Sequence, residues 1–213
     1  MKIKKEKVEI VDRINGQKIL EKLERIGRIS HKSEEKISKG SAEKFIKKLL
    51  QLKHESVLEH EKITVKIVCD RGISHEIVRH RIASYTQEST RYCAYKELEI
   101  ILPQEIKDNK EAKKLFLESI KQIEKNYLEL LSLGIKPEIA RNILPHALKT
   151  ELYCTFNLRE WRHIFELRCS ENAHPQIRRI FLKILKIFQK KFPVIFDDFI
   201  IDESKKVAKK QNF

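Results

Sequence analysis

The densest run of chemically capable side chains is Arg79-His80-Arg81-Ile82-Ala83-Ser84-Tyr85-Thr86-Gln87-Glu88-Ser89-Thr90-Arg91-Tyr92. Two guanidinium forks flank an imidazole, hydroxyl and amide groups follow, and a third fork closes the run. A planar guanidinium matches carboxylate and phosphate with two parallel hydrogen bonds. Small donors such as Thr86, Gln87 and Ser89 suit a phosphate and the edge of a nucleobase. Apolar spacing places the start of the run on a helix after Gly72, with Ile73, Ile77, Val78, Ile82 and Ala83 along one side. At ~100° per residue, Arg79 and Arg81 lie ~200° apart on such a helix. One of them is then expected to face the interior or a ligand, and a buried guanidinium needs an anionic partner. A solvated basic helix end, tied to Glu76 and Glu88, explains the arginines about as well. It does not explain why Ser89, Thr90 and Tyr92 gather at the same place.

Charge points the same way. Lys and Arg number 45 against 31 Asp and Glu, a net charge of +14. Such a field favours anionic partners: nucleic acid, phosphorylated metabolites or acidic membranes. Much of the excess is surface lysine, as at Lys47–Lys48, Lys190–Lys191 and Lys205–Lys210, so the arginines are the more informative cations. A length of 213 residues with 41% hydrophobic content supports a real core, and five Gly and five Pro exclude collagen or a flexible linker protein. The apolar stretch Ile63–Val68 is short and broken by Lys66, and Met1–Glu9 alternates charge and apolarity. A soluble, unprocessed, cytoplasmic chain with no membrane partner is expected. Cys69, Cys93, Cys154 and Cys169 contain no closely spaced pair and are expected to be reduced.

The elements that must carry these residues can be read from periodicity. Val8–Val11 suggests a short strand broken by Gly16, and Gln17–Ile29 and Ser41–Gln51 suggest amphipathic helices, the second capped by Ser41. Ile63, Val65, Ile67 and Cys69 alternate along a strand over Glu61–Asp70. Leu98–Leu102 is expected as a short strand ending at Pro103. Glu111–Leu131 reads as a long helix with Leu115, Ile120, Ile123, Tyr127 and Leu128 on its apolar side. Gly134 and Pro137 end it and start Glu138–Leu144, which Pro145 stops. Glu151–Asn157 is β-prone, and Leu158–Leu167 and Pro175–Phe188 are helical. The fold class is therefore mixed α/β or α+β: a helix-dominated single domain over residues 1–203, with a small central sheet covered by helices. Residues 204–213, with no aromatic before Phe213, read as a basic, mobile tail.

Arg79-His80-Arg81, seven residues, Ser89 and then Arg91-Tyr92 resemble the signature of the flavin-dependent thymidylate synthases, the ThyX family. His54-Glu55-Ser56-Val57-Leu58-Glu59-His60 is similar to a second family segment. Ala140-Arg141-Asn142-Ile143-Leu144-Pro145 is similar to a third. Thr155–Arg159, His163, Leu167-Arg168 and Ala173–Ile177 are similar to the C-terminal one. The resemblance spans roughly Val8 to Phe199. Thr86-Gln87 stands where many members carry Asn-Glu, Glu76 where Gln is frequent, and Pro175 where a Trp opens a helix.

This resemblance implies reductive methylation of dUMP to dTMP. The carbon would come from methylenetetrahydrofolate and the hydride from FAD reduced by NADPH. It implies that Ser56, Arg79, His80, Arg81, Gln87, Asn157, Leu158, Arg159 and His163 bind FAD, some of them from neighbouring subunits of a homotetramer. Glu76, Arg79, Gln87, Glu88, Ser89, Thr90, Arg91 and Arg141 would bind the nucleotide. Arg168 would sit against the uracil and favour ionisation of its ring N–H. The hard chemistry would belong to the cofactor, with the protein supplying binding, orientation and electrostatics. No GxGxxG is present, so no Rossmann crevice is expected.

The rival from another class is a non-catalytic, basic nucleic-acid-binding protein. It would use Arg79, Arg81 and Arg91 on phosphates and Tyr85, Tyr92 and Tyr95 as stacking faces; the family resemblance carries no nucleic-acid partner. His54-Glu55 with His60 is not HExxH, and His75, His80 and His174 need no metal to explain them, so no metal site is expected. Cys93 is expected to be a small buried hydrophobe, and Trp161, Phe165, Phe181 and Phe188 core residues. If the flavin does the chemistry, replacing all four cysteines by Ser or Ala leaves measurable thymidylate formation. Its complete loss in a folded, flavin-loaded variant would refute this.

Overall fold

The computed structural model describes residues 1–211. In chain order the elements are β1 (Lys2–Lys4), β2 (Lys7–Ile10), α1 (Gly16–Arg28), α2 (Ser41–Gln51), β3 (Lys62–Asp70), α3 (Arg71–Ile77), β4 (Ser84–Gln87) and β5 (Glu99–Ile101). They continue with α4 (Gln104–Lys107), α5 (Lys110–Ser132), α6 (Pro137–Ala140), β6 (Lys149–Asn157), α7 (Leu158–Arg168), α8 (Pro175–Lys191), α9 (Pro193–Phe196), β7 (Phe199–Asp202) and β8 (Val207–Lys210). Short 3-10 turns at Glu55–His60 and Arg141–Ile143 complete the parts used below. The mixed class with small sheets and abundant helix is as expected. Among the described residues, no helix is long and apolar enough to cross a membrane.

The chain forms two compact units. The first comprises Met1–Glu9, Lys66–Arg81 and Tyr85–Cys154. Most of a four-stranded sheet lies here, in the order β2-β3-β6-β4. Alternation sets its faces: Ile67 and Cys69 of β3 and Leu152 and Cys154 of β6 are fully buried. β1 pairs in parallel with β5, Ile3 opposite Ile100. The N-terminal amine lies 3.0 Å from Glu97 and 2.9 Å from Glu124. Helix α5 begins where the Asn109 side chain accepts from Ala112 N at 3.0 Å. It ends at Gly134, whose φ of +80° is the left-handed conformation that a β-carbon disfavours. Its buried positions are Ile120 and Tyr127, and Tyr127 packs with Leu98, Ala140 and Leu148. Leu115 is 68% exposed and Leu128 also lies outside the core, so the apolar side expected from the sequence is only partly the buried one.

The helix after Gly72 is shorter than its apolar spacing predicts. Asp70 starts α3 by accepting from Ile73 N at 2.8 Å, but the helix ends at Ile77. The Tyr85 hydroxyl oxygen lies 2.8 Å from Ile77 O and 2.7 Å from His80 O, and its single proton is shared between them. Those carbonyls would accept from the next turn if the helix continued. Tyr85 and Thr86 are strand formers, and Ser84–Gln87 joins the sheet instead.

The second unit comprises Ile10–Val65, Ile82–Ser84 and the chain from Thr155 onward. Its core is aromatic. The Trp161 ring lies 4.7 Å from Phe156, 5.5 Å from Phe165 and 5.0 Å from Phe188, and Phe188 lies 5.3 Å from Phe196. Each such burial contributes about 1.5–3 kcal/mol, and well-set ring pairs add about 0.5–1.5. The Trp161 indole N–H is satisfied by Ile63 O at 3.2 Å. Gly16 opens α1 rather than merely breaking a strand, and a β-carbon there would stand 2.1 Å from Lys191 O. Gly40, not Ser41, caps α2; the Ser41 hydroxyl lies 2.8 Å from Glu24.

The C-terminal segment departs most from expectation. Val207–Lys210 is a strand paired antiparallel with β7, Asp202 opposite Val207 and Phe199 opposite Lys210. Val207 and Ala208 are buried, and Ala208 N donates to Cys169 O at 2.8 Å. The basic residues hid an apolar pair that the core takes up, so residues 207–210 are not a mobile tail; Phe213 lies outside the described residues. This segment also carries the counter-ion of Arg162, whose side chain is 1% exposed. Its guanidinium donates to both Asp198 carboxylate oxygens, at 2.8 and 2.6 Å, and to the Ile195 carbonyl. It also reaches Glu55 at 3.1 Å. Burial alone would lower the affinity of Arg162 for its proton, but its hydrogen bonds to Asp198 and the two carboxylate charges reverse that. Cys69, Cys154 and Cys169 are buried and in no disulfide among the described residues, and burial pushes the pKa of Cys69 and Cys169 up; Cys93 is exposed rather than buried.

Two stability outcomes follow. Val207→Asp places an unpaired charge in the core and should cost about 3–5 kcal/mol in denaturant unfolding; a loss below about 0.5, the surface range, would show an unanchored tail. Arg162→Leu should cost a similar amount by stranding Asp198. The double variant Arg162→Leu/Asp198→Leu should recover more than half of that loss, and a double variant no better than the single would contradict the pairing.

Candidate functional site

The arginine-rich run is a braced turn after α3 that leads into strand β4, not a helix. Arg79 and Arg81 are both exposed and His80 is 6% exposed, so the imidazole, not a guanidinium, is the inward member of the triplet. The helical argument for one inward arginine fails because α3 stops before Arg79, where the backbone no longer turns at a helical rate. Gln87 on β4 donates its amide to Ser74 Oγ at 2.8 Å and to Thr150 Oγ1 at 3.1 Å. Glu88 accepts from the Tyr95 hydroxyl at 2.9 Å and lies 3.3 Å from the Lys149 ammonium. Burial, and then the Glu88 charge, push the Tyr95 phenol pKa well up, so it stays a donor. Ser89 Oγ accepts from Arg91 N at 3.2 Å, and the Arg91 side chain pairs with Glu138 at 3.2 Å. Arg141, exposed in its 3-10 turn, donates to Thr90 Oγ1 at 3.5 Å. The expected arginine pairing through Glu88 is thus replaced by a lysine and a tyrosine.

Glu76, Arg79, His80, Arg81, Gln87, Glu88, Ser89, Thr90, Arg91 and Arg141 all belong to the first unit. Gln87 to Arg91 and Arg141 are neighbours through these bonds, while Glu76 closes α3. Of the three candidate stacking rings, Tyr92 is 78% exposed. The Tyr85 hydroxyl holds the loop, and the Tyr95 ring lies 6.2 Å from Tyr127.

The second unit holds Ser56, Asn157, Leu158, Arg159, His163 and Arg168. Asn157 caps α7 by accepting from Glu160 N at 2.8 Å, and Leu158 N donates to Glu61 O at 2.9 Å. That start angle places Arg159 and His163, one helical turn apart, on the exposed side. Asn157, Arg159 and His163 line one cavity of about 520 Å³, with Glu55, Glu59, Glu160, Glu166, Ile82 and Lys210. Arg159 meets Glu59 at 2.5 Å. Burial draws the Glu55 pKa up, but Arg162 and then Lys210 outweigh it and hold the carboxyl below its ordinary range. Burial raises the Glu160 pKa against the nearby His163. Ser56 is exposed in the turn that carries Glu55 and Glu59, Leu158 is buried in the core, and half-buried Arg168 ends α7.

Sequence reasoning missed Glu55, Arg162, Asp198 and Lys210. Arg162 carried a signal: on α7 it falls among Trp161, Ile164 and Phe165 on the buried side, where a guanidinium demands a carboxylate. Its partner lies 36 positions away and carries no local signature.

The family model for thymidylate synthase complementing protein matches residues 9–194. Among curated relatives, the flavin-dependent thymidylate synthase of Pyrococcus furiosus is 40% identical over 174 residues, 78% of this chain and 70% of that protein. That of Geobacter sulfurreducens is 35% identical over 167 residues, 77% of this chain and 72% of that protein. Among solved structures, a UMP/dUMP methylase from Streptomyces cacaoi, bound with 5-bromo-dUMP, superposes with a TM-score of 0.82. It is 23% identical and covers 92% of this chain and 96% of its own, a likeness of fold. Sequence motifs, family model and relatives agree: the chain belongs to the flavin-dependent thymidylate synthase family.

Proposed function

We propose that the chain methylates dUMP to dTMP as a single-domain homotetramer in the cytoplasm. Methylenetetrahydrofolate gives the carbon, FAD is the flavin, and NADPH is the reductant. The observation that carries this reading is the cavity of the second unit. Asn157, Arg159 and His163, three residues that the resemblance assigns to flavin, converge on it. Its volume of about 520 Å³ lies within the range of small-molecule sites. A guanidinium, an imidazole, an amide and an ammonium line it together with four carboxylates, so it offers donors and acceptors to the hydroxyl and amide groups of a flavin nucleotide. The resemblance adds Ser56 and Leu158 to the flavin set, and Arg79, His80, Arg81 and Gln87 of the arginine-rich loop, with the set divided between neighbouring subunits of the homotetramer.

Bound reduced FAD supplies the hydride. The chain's own groups bind and orient. Exposed Arg79, Arg81, Arg91 and Arg141 offer forks for the nucleotide phosphate, and Ser89 and Thr90 offer hydroxyls. Tyr85 holds the Arg79–Arg81 turn in place, which lowers the entropy lost when an anion is clasped. The resemblance adds Glu76, Gln87 and Glu88 to the nucleotide-binding set, and Lys149 pairs with Glu88 at 3.3 Å. Arg168 serves the uracil. Its fork stabilises negative charge on the ring as the ring N–H proton leaves, which makes the ring carbon a better nucleophile.

Arg168 ends α7, where any cation gains about 0.3–1 kcal/mol from the helix dipole and Lys would serve as well. Opposition to ring charge is worth about 3–4 kcal/mol and needs the planar fork. Arg168→Lys should therefore fold, bind FAD and accept electrons from NADPH, yet methylate dUMP about a hundredfold more slowly or worse, at about 1.4 kcal/mol per tenfold. Methylation within a few fold of the parent at saturating nucleotide would leave Arg168 a helix-end cation.

A further inference from the structure

Gln87 is held from the inside by two hydroxyls that no motif marks. Ser74 on α3 and Thr150 on β6 are both fully buried, and Gln87 ends β4. All three belong to the first unit. The Gln87 side-chain nitrogen donates to Ser74 Oγ at 2.8 Å and to Thr150 Oγ1 at 3.1 Å, which uses both of its protons. The Ser74 hydroxyl donates its own proton to Arg71 O at 2.9 Å. Its oxygen can therefore only accept from Gln87, and this decides which end of the amide faces inward. A carboxylate at this position would bring acceptors alone, and Ser74 would have to leave Arg71 O to meet it.

The other end of the amide stays open. Among the described residues none donates to the Gln87 amide oxygen, and no buried side-chain oxygen lacks a partner, so this oxygen is reached by solvent. Two buried acceptors behind the nitrogen and open space before the oxygen give the amide one orientation. A side chain locked in this way loses little rotamer freedom when it binds. Its chemistry is also fixed: it offers an acceptor, and an acceptor takes an N–H or an O–H.

We propose that Ser74 and Thr150 are positioning residues that lock the Gln87 amide with its oxygen outward, so that Gln87 meets the nucleotide as a hydrogen-bond acceptor. The proposal rests on the reading of Gln87 as a residue of the nucleotide site. The test is a double-variant cycle on flavin-loaded, full-length protein, read by calorimetry as the Kd for dUMP. Ser74→Ala and Thr150→Val each remove an inward acceptor and leave the amide freer to turn. Each should raise the Kd about three- to tenfold, the weight of one hydrogen bond, and the pair by more than either alone. In a Gln87→Met background the same substitutions should change the Kd less than about twofold, because the hydroxyls then have no amide to hold. Thr150→Ser keeps a hydroxyl and should keep the parent value. Unfolding midpoints identify a variant that has lost its fold, and if the pair is such a variant the single substitutions carry the cycle. An equal rise with and without Gln87 would overturn the proposal, since the hydroxyls would then act on the fold at large. So would a Kd that is unchanged or lower once the amide is freed, since the nucleotide would not need the outward oxygen. If Gln87→Met by itself binds dUMP as tightly as the parent, the reading of Gln87 as a nucleotide residue fails and this inference with it. A parent that binds no dUMP would overturn the proposed substrate itself.

Discussion

A guanidinium with no access to water has to be answered by carboxylates, and in the second unit much else follows from that requirement. Arg162 sits among Trp161, Ile164 and Phe165 on the buried side of α7. Removing its charge from water costs several kcal/mol, which only close, well-directed anions return. Asp198 supplies two oxygens and Glu55 a third. One interaction therefore constrains three places at once: the pitch of α7, the chain just before β7, and the Glu55–His60 turn. The cavity lined by Arg159 and His163 is built from the first and third of these, and Lys210 reaches it from the hairpin that the second one anchors. A buried ion triad of this kind is weak evidence for net stability, since an apolar trio of equal volume could pack as well. Its effect is positional: it gives a cavity wall one geometry.

The arginine-rich loop is held by a different device. Its cations are exposed, so no desolvation cost compels pairing. Order comes from neutral hydrogen bonds: the shared Tyr85 proton on two carbonyls, and the Gln87 amide on Ser74 and Thr150. Around it runs a ladder of alternating charge on the sheet. Lys149 meets Glu88 and Glu151, and Lys66 meets Glu151 at 2.6 Å. Hydrogen bonds from Lys149 and then Lys66 hold the Glu151 pKa down at about 2. That depressed carboxyl contributes stability above its unfolded value near about 4.3, and the contribution fades as pH falls toward about 2. The loop thus keeps its arginine forks in solvent while the hydrogen bonds of Tyr85 and Gln87 fix its backbone.

Much of the fold was legible because it is local. Alternation over Ile63–Cys69 marked β3, helical spacing marked α1, α2 and α8, and Gly134 marked the end of α5. Trp161, Phe165, Phe181 and Phe188 fall at helical intervals and are core residues. The motifs were legible too, since spacing such as Arg79 to Ser89 survives in the linear chain. From the linear chain alone came the long helices, the strands β3 and β6, the family and the residue types available for chemistry. Tertiary structure alone decided three things. It ended α3 at Ile77, because Tyr85 and the pairing of β4 outcompete another turn of helix. It turned a lysine-rich end into a strand, because Val207 and Ala208 find a core that composition does not reveal. And it chose Glu55, Asp198 and Lys210 as companions of α7. These choices depend on which distant charges meet out of water, and no periodicity within the chain records that.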